Sequence, residues 1–315
     1  MRLVQNTQAG TEGVAIVSRS GLPGSYITYK PYPAQHPKLH VVNSWNHILI
    51  TASYIRIEGF EVEGDAKNIT VKDEESEYDS TIANGKVNWS SPTTRKLNTN
   101  GISVRPDSDM TKYGLNTYII PNHVEIINNN VHDVPGGGIY TDEADYITIE
   151  GNVVHDTAIG MFANSGISIF HNHNTDEENT SYKNVIRNNI SYHNTPYVKW
   201  VLNGKWSDGN GIIIDDTKCT QNMKTDRYIE YTGRTLVDNN IAYENSGSGI
   251  HAFSCDNVDV INNTAYNNNS EHLNWGQIFA QNSNNVRVVN NIAYAKTGNI
   301  VTLNYDSVNK NVIYS

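Results

Sequence analysis

Short apolar segments with a regular alternation recur along the chain. In residues 124–132 (VEIINNNVH), alternating apolar side chains are followed by an Asn bend and a second short apolar run. The same pattern returns at residues 147–155, 185–192, 236–243, 258–266 and 286–294, with a weaker copy at 54–62. An alternation with period two predicts strands, because successive side chains of a strand point to opposite faces. Each copy is therefore predicted to be two short strands joined by a bend.

The spacing of the Asn bends predicts a solenoid. The second bend residue is Asn129, Asn152, Asn189, Asn240, Asn263 and Asn291, so the intervals are 23, 37, 51, 23 and 28 residues. A basic coil of 23 residues that accepts insertions is typical of a β-solenoid. Asn tolerates left-handed backbone geometry, and its amide can bond to the same amide one coil away. We therefore expect the paired Asn residues to form ladders inside the bends.

A third strand that opens with Gly-Ile follows most copies, at residues 101–105, 138–142, 166–170, 211–215 and 249–253. Its Ile and the residue two positions later are predicted to face the core, and the intervening positions to face solvent. One predicted outward column is Ser103, Tyr140, Ser168, Ile213 and His251, and the other is Arg105, Asp142, Phe170, Asp215 and Phe253. The predicted fold is all-β: one right-handed parallel β-helix domain over residues 1–315, with loop insertions on one face and an incomplete N-terminal cap.

The net charge and the distribution of apolar residues limit the kinds of binding partner that are expected. The 315 residues carry a formal charge of -10, which argues against nucleic acid, since phosphate binding needs clustered Lys and Arg. There is no apolar run long enough to span a bilayer. We expect a monomer that is secreted or on the cell surface, with a leader outside this sequence. Cys219 and Cys255 are too few for a disulfide framework, and they either pair with each other or remain thiols.

The outward columns are typical of a sugar-binding floor. Aromatic faces stack on pyranose rings, while carboxylates, His, Lys and Arg handle protons and charge. The candidate catalytic residues are Arg105, Asp142, Lys205, Asp208, Asp215, Asp216, Lys218 and His251, and the candidate substrate-binding residues are Tyr140, Phe170, Trp206 and Phe253. Three close carboxylates repel one another, so either one of Asp208, Asp215 and Asp216 is protonated or a cation, expected to be calcium, lies among them. A solvated acidic turn is the alternative.

These coils resemble the pectin-lyase-like superfamily of right-handed β-helices from about Tyr26 onward. The resemblance is carried by residues 134–139, 164–169, 208–216 and 247–251. It implies a carbohydrate-active protein, either a polysaccharide lyase with a Lys or Arg base and often calcium, or a glycoside hydrolase with paired carboxylates. The Asp215-Asp216 pair, followed one coil later by Gly249-Ile250-His251, is similar in layout to polygalacturonase-type hydrolases.

Three functions follow from these residues. The leading one is a lyase that performs β-elimination on a uronic-acid polysaccharide, with Arg105, Lys205 or Lys218 as the base. The alternative is an inverting hydrolase, for which Asp142 and Asp215 would be the separated carboxylates. The second alternative is a non-catalytic glycan-binding or surface structural β-helix.

Overall fold

Three long sheets make up most of the computed structural model. It describes residues 13–40, 43–106, 119–220, 230–269, 272–298, 300–302 and 307–315, together with the backbone of residues 2–4. Each complete coil contributes one strand to each sheet in a fixed order, which we call the first, second and third sheet. All described strand pairs are parallel except β1 with β2. The predicted parallel β-helix is confirmed, and connections between parallel strands are as a rule right-handed.

The strands are numbered in chain order. The first sheet contains β1 (Arg2–Val4), β2 (Gly13–Val17), β5 (Asn46–Ile50), β8 (Asn100–Val104), β11 (Ile139–Asp142), β14 (Ile167–Phe170), β17 (Ile212–Asp215), β20 (Ile250–Phe253) and β23 (Ile278–Gln281). The second contains β3 (Ile27–Tyr29), β6 (Ile55–Glu58), β9 (Asn122–Ile127), β12 (Asp145–Glu150), β15 (Tyr182–Arg187), β18 (Arg234–Asp238), β21 (Asp256–Ile261), β24 (Asn284–Val289) and β26 (Lys310–Tyr314). The third contains β4 (Lys38–His40), β7 (Glu61–Glu63), β10 (Asn130–His132), β13 (Val153–His155), β16 (Ile190–Tyr192), β19 (Ile241–Tyr243), β22 (Thr264–Tyr266) and β25 (Ile292–Tyr294).

The aliphatic residues of the predicted strands form one continuous core. In the predicted Gly-Ile strands, which form part of the first sheet, the Ile that follows Gly is fully buried. These residues are Ile102, Ile139, Ile167, Ile212 and Ile250. Stacking identical residues from coil to coil removes their apolar surface from water along the whole solenoid.

The two residues of each Asn bend have different structural roles. The first residue of a bend has a left-handed backbone, with φ of 53° at Asn128 and 68° at Gly151, a region that Asn and Gly tolerate best. The second residues form the predicted ladder, in which Nδ2 of each donates to Oδ1 of the next at 2.9–3.0 Å along Asn129, Asn152, Asn189, Asn240, Asn263 and Asn291.

Two helices interrupt the solenoid between β7 and β8. They are α1 (Val71–Asn84) and α2 (Pro92–Lys96), preceded by a 3-10 turn (Ala66–Asn68). Thr70 and Asp73 cap α1 reciprocally, and Gly85 ends it with a φ of 67°. This insertion was not predicted, although Thr70-x-x-Asp73 ahead of a charged run is a helix-start pattern.

The loop insertions lie at the two ends of the first-sheet strands. The segments that connect the third sheet to the first lie at what we call the incoming edge, where first-sheet strands begin. The segments that connect the first sheet to the second lie at the outgoing edge, where these strands end. The helical insertion belongs to the incoming edge, and Tyr78 and Val87 from it pack with Met161, Val198 and Val201 of the loops there.

The remaining Cys and aromatic positions of the coils have simple roles. Cys219 and Cys255 are both free thiols. His132, His155, Tyr192 and Tyr243 stack face to face on the third sheet at centroid distances of 4.6–5.1 Å, as expected of recurring repeat positions. Among the described residues, no helix has the length and apolar character needed to cross a membrane.

Candidate active site

One of the two predicted columns forms a half-buried strip along the outgoing edge. Asp142, Phe170, Asp215 and Phe253 occupy the same register on the neighbouring strands β11, β14, β17 and β20. We call these residues, with Arg105, the acidic column. Adjacent strands lie about 4.8 Å apart, so the backbones of Asp142 and Asp215 are about 9–10 Å apart, with Phe170 between them.

The other predicted column does not face solvent except at the half-buried Tyr140, and that expectation was wrong for its other members. Ser103, Ile213 and His251 are buried, the last with only 2% of its surface exposed. The ring of His251 stacks on Phe279 at 4.1 Å and lies 5.4 Å from Trp275 of an incoming-edge loop. Burial lowers the pKa of His251 to about 3, against the opposing effect of Gln281, so the imidazole is neutral.

Tyr140 and Arg105 border Asp142. Burial, followed by the nearby charge of Asp142, raises the pKa of Tyr140 well above its ordinary value, so the phenol keeps its proton. Arg105 Nη2 lies 3.7 Å from Asp142 Oδ2. Asp142 therefore has a neutral phenol and a guanidinium as neighbours.

Two residues that directly follow the column turn back beneath it. His171 and Asp216 follow Phe170 and Asp215 and have left-handed φ values of 44° and 48°. His171 Nε2 lies 3.1 Å from Asp216 Oδ2, and its Nδ1 lies 3.8 Å from Asp142 Oδ1. Burial lowers the pKa of His171, but the nearby carboxylates of Asp142 and Asp216 outweigh it and raise the value to about 9. The geometry thus gives an imidazolium between two carboxylates.

A row of polar side chains continues from this pair along the outgoing edge and reaches the surface at Thr220. Asp216 Oδ1 accepts from the backbone and hydroxyl of Thr220 at 2.8 and 2.6 Å. The Thr220 hydroxyl contacts Ser254 Oγ at 2.9 Å, and Asn282 Nδ2 donates to the same oxygen at 2.5 Å. Asp216 is therefore a supporting residue beneath the surface, whereas Asp215 is half-buried in the column.

Asp208 lies at the incoming edge, separated from Asp215 by strand β17. Its carboxylate accepts from Ser207 Oγ and Asn210 Nδ2 at 2.9 and 3.0 Å and contacts Ser165 Oγ at 3.3 Å. Burial raises the pKa of Asp208 to about 6, and these hydrogen bonds oppose the rise. The Asp208 carboxyl therefore holds a proton in mildly acidic solution.

The three carboxylates expected to share calcium do not meet. Asp208 and Asp215 stand at opposite ends of β17, and Asp216 is occupied by Thr220 and His171. Of the described His, Cys, Asp and Glu residues, only Glu63, His132 and Asp133 bring three ligand atoms within 4.8 Å of one another. That group lies on the third sheet, where Lys38 and Lys67 already pair with Glu63. Asp208, Asp215 and Asp216 do not fit one shared ion.

The candidate lysines and Trp206 lie outside the acidic column. Lys205 is exposed in a tight turn of the incoming edge, where its carbonyl accepts from the Trp200 backbone. Lys218 is at the outgoing edge, and its Nζ donates to the Asn282 carbonyl at 3.0 Å and lies 3.9 Å from Asp256. Trp206 stacks on His272 at 3.6 Å at the incoming edge.

His171 was not among the catalytic candidates predicted from the sequence. Phe170 and Asp215 share a register, so the residues that follow them, His171 and Asp216, must also be neighbours. A basic side chain at one position and an acidic one at the other was the signal that could have revealed the pair.

Solved structures that resemble this chain do so distantly. No family model matches the chain and no curated protein matches it. A GH136 lacto-N-biosidase from Eubacterium ramulus is 13% identical over 96% of this chain, with a TM-score of 0.45, and this chain spans 48% of its length. Pectate lyase Pel9A is 13% identical over 99% of this chain and 67% of its own, with a TM-score of 0.41. The A-module of Azotobacter vinelandii mannuronan C-5 epimerase AlgE6 is 11% identical over 88% and 80%, with a TM-score of 0.35.

Proposed function

We propose that this protein is a carbohydrate-active enzyme that hydrolyses an extracellular polysaccharide along the outward side of the first sheet. The observation that carries the proposal is the register of Asp142, Phe170 and Asp215 on three neighbouring strands. Carboxyl groups about 6.5–9.5 Å apart leave room for a sugar and a water in inverting hydrolysis. The backbone spacing of about 9–10 Å lies near the upper end of that range.

The surrounding groups support proton transfer by carboxylates. Arg105 and His171 flank Asp142 and hold it in place. One of Asp142 and Asp215 is the candidate general acid that protonates the leaving oxygen. In this proposal the other carboxylate directs the attacking water, and Phe170 supplies the apolar surface against which a pyranose stacks.

Elimination on a uronic-acid polysaccharide is the second candidate. Arg105 favours it, because a partly exposed guanidinium in the acidic column can steady a substrate carboxylate. We prefer hydrolysis to elimination because of where the two candidate lysine bases lie. Lys205 is at the incoming edge, and Lys218 is already bonded to Asn282.

One assay separates the two reactions. Soluble neutral and uronic-acid polysaccharides are incubated with the protein, and new reducing ends and the ultraviolet absorbance of unsaturated sugar are both measured. We expect reducing ends without absorbance. Absorbance that rises with cleavage, and is lost on calcium chelation, would replace hydrolysis by elimination. Neither signal on any polysaccharide would leave a binding or structural protein.

Matched variants test the residues. Asp215→Asn is expected to lower the rate by about 100-fold or more, the usual contribution of a positioned acid or base, while the melting temperature stays close to that of the wild type. Glu75→Gln, an exposed carboxylate on α1, is the control and should keep full activity. Wild-type turnover in Asp215→Asn would remove this residue from the catalytic set.

A further inference from the structure

An aromatic cluster lies at the incoming edge, across the first sheet from the acidic column. Trp45 directly precedes β5, Trp89 lies between α1 and α2, and Phe162 lies in the loop after β13. The rings of Trp89 and Phe162 are stacked, with centroids 5.2 Å apart and planes at 11°. Trp45 lies 5.5 Å from Trp89 and 6.3 Å from Phe162. Three distant segments therefore build one aromatic surface, which we call the tryptophan platform.

The tryptophan platform has a buried base and an exposed top. Trp45 is 3% exposed, whereas Trp89 keeps 48% of its surface in solvent. Phe162 packs in turn with Met161, Val198 and Val201, so several segments hold the rings in place. A single exposed apolar residue needs no explanation. A large exposed ring fixed by stacking is different, because little further ordering is needed when a ligand binds.

The chemistry around the rings suits an uncharged, hydroxyl-rich ligand. The buried side chains against which Phe162 packs, namely Met161, Val198 and Val201, are apolar. Trp45 Nε1 has no hydrogen-bond partner among the residues that the structure describes, so a buried donor remains unused. The residues next to Trp89, namely Asn88 and Ser90, are exposed and can bond to hydroxyl groups. An aromatic face beside neutral donors and acceptors is how proteins bind pyranose rings.

We infer that Trp89 and Phe162 form a glycan-binding subsite that stacks on an uncharged hexopyranose unit of the chain cleaved at the acidic column. The inference rests on the proposed function for the identity of that chain. A strand of four or five residues spans about 13–17 Å, so the platform holds a unit well removed from the cleaved bond. It therefore contributes to the affinity for long chains.

Binding is measured in an Asp215→Asn background, by affinity electrophoresis in gels that contain galactomannan, xyloglucan or polygalacturonate. Trp89→Ala should raise the dissociation constant about fivefold or more for a neutral polysaccharide that retards the parent, the scale of a lost aromatic contact. Trp89→Phe should bind within about twofold of the parent, since it keeps an aromatic face. The control is Tyr32→Ala, which removes an aromatic residue that is 80% exposed outside the platform, and it should bind like the parent.

Three results would overturn the subsite. They are parent-like binding by Trp89→Ala, an equal loss on polygalacturonate, and no retardation of the parent by either neutral polysaccharide. The proposed function is judged separately by cleavage with the wild-type protein. If the wild type cleaves none of the three polysaccharides but binding depends on Trp89, the subsite stands and the hydrolase does not. If the wild type cleaves one of them but binding does not depend on Trp89, the hydrolase stands and the subsite does not.

Discussion

His171 Nε2 lies 3.1 Å from Asp216 Oδ2, and both side chains are almost completely buried. A buried ion pair is stable only when further hydrogen bonds satisfy its charges. Thr220 supplies two of them to Asp216, and Asp142 flanks the other ring nitrogen of His171. The pair thus links the half-buried carboxylate Asp142 to the polar row of the outgoing edge.

Replacing His171 by Gln should destabilise the protein by roughly 1.5–3 kcal/mol at pH 7, the range for hydrogen bonds to charged groups. The pKa of His171 is raised from 6.5 to about 9 in the folded protein. Its contribution is therefore complete below pH 6.5 and is lost as the pH rises through 9. Urea unfolding between pH 6 and 9.5 should show this decline in the wild type and not in His171→Gln.

The control for that comparison is His173→Gln, two residues further along the same loop and only half-buried. It should reproduce the wild-type dependence of stability on pH. A wild-type decline that persists unchanged in His171→Gln would show that another group causes it.

Asp208 gives an expected pH dependence of stability. Burial raises its pKa to about 6, so the carboxyl loses its proton above that pH. Its contribution to stability is complete below its ordinary value of 3.8 and is lost as the pH rises through 6.

Asp208→Asn tests this effect. The melting temperature should vary less between pH 4 and 7 than in the wild type, because Asn cannot ionise. A melting temperature that varies with pH as much as in the wild type would assign the titrating group elsewhere.

The strands and their columns were predictable because they depend on period and repetition. In every Gly-Ile segment the same alternate positions face the core. The register of Asp142, Phe170 and Asp215 therefore follows from the sequence once the coils are stacked. The Asn ladder was predictable for the same reason, since one residue type recurs at one position of the coil.

The parts that could not be predicted depend on where insertions and turns direct side chains. His251 shares the outward parity of its column, yet a loop carrying Trp275 covers it. Asp216 follows Asp215 in sequence, but a left-handed turn directs it inward to His171. The alternation of apolar and polar residues within a strand predicts neither which loop covers the strand nor which turn reverses the direction of a side chain.

Glu74 on α1 is a buried carboxyl with an unusual titration. It is 0% exposed, and neither carboxyl oxygen has a hydrogen-bond partner among the residues that the structure describes. Burial, with smaller effects of Glu77 and Asp73, raises its pKa from 4.5 to about 9. Its contribution to stability is therefore complete below pH 4.5 and is lost as the pH rises through 9. Glu74→Gln should unfold at higher temperature than the wild type at pH 8, and the difference should shrink toward pH 5. The exposed neighbour variant Glu75→Gln should show no such trend.

Asn240 tests the ladder that holds the coils in register. Its Nδ2 donates to the Ile186 carbonyl and to Asn263 Oδ1, both at 2.9 Å, and its Oδ1 accepts from the backbone and side chain of Asn189, both at 3.0 Å. Asn240→Ala would leave these buried partners unpaired, and we expect a loss of roughly 1–3 kcal/mol in the free energy of unfolding, measured by urea denaturation. Asn239→Gly is the matched control, because it alters the adjacent bend residue while allowing its φ of 54°. A smaller loss in Asn240→Ala than in Asn239→Gly would mean that the bend geometry, and not the buried amide ladder, stabilises the coils.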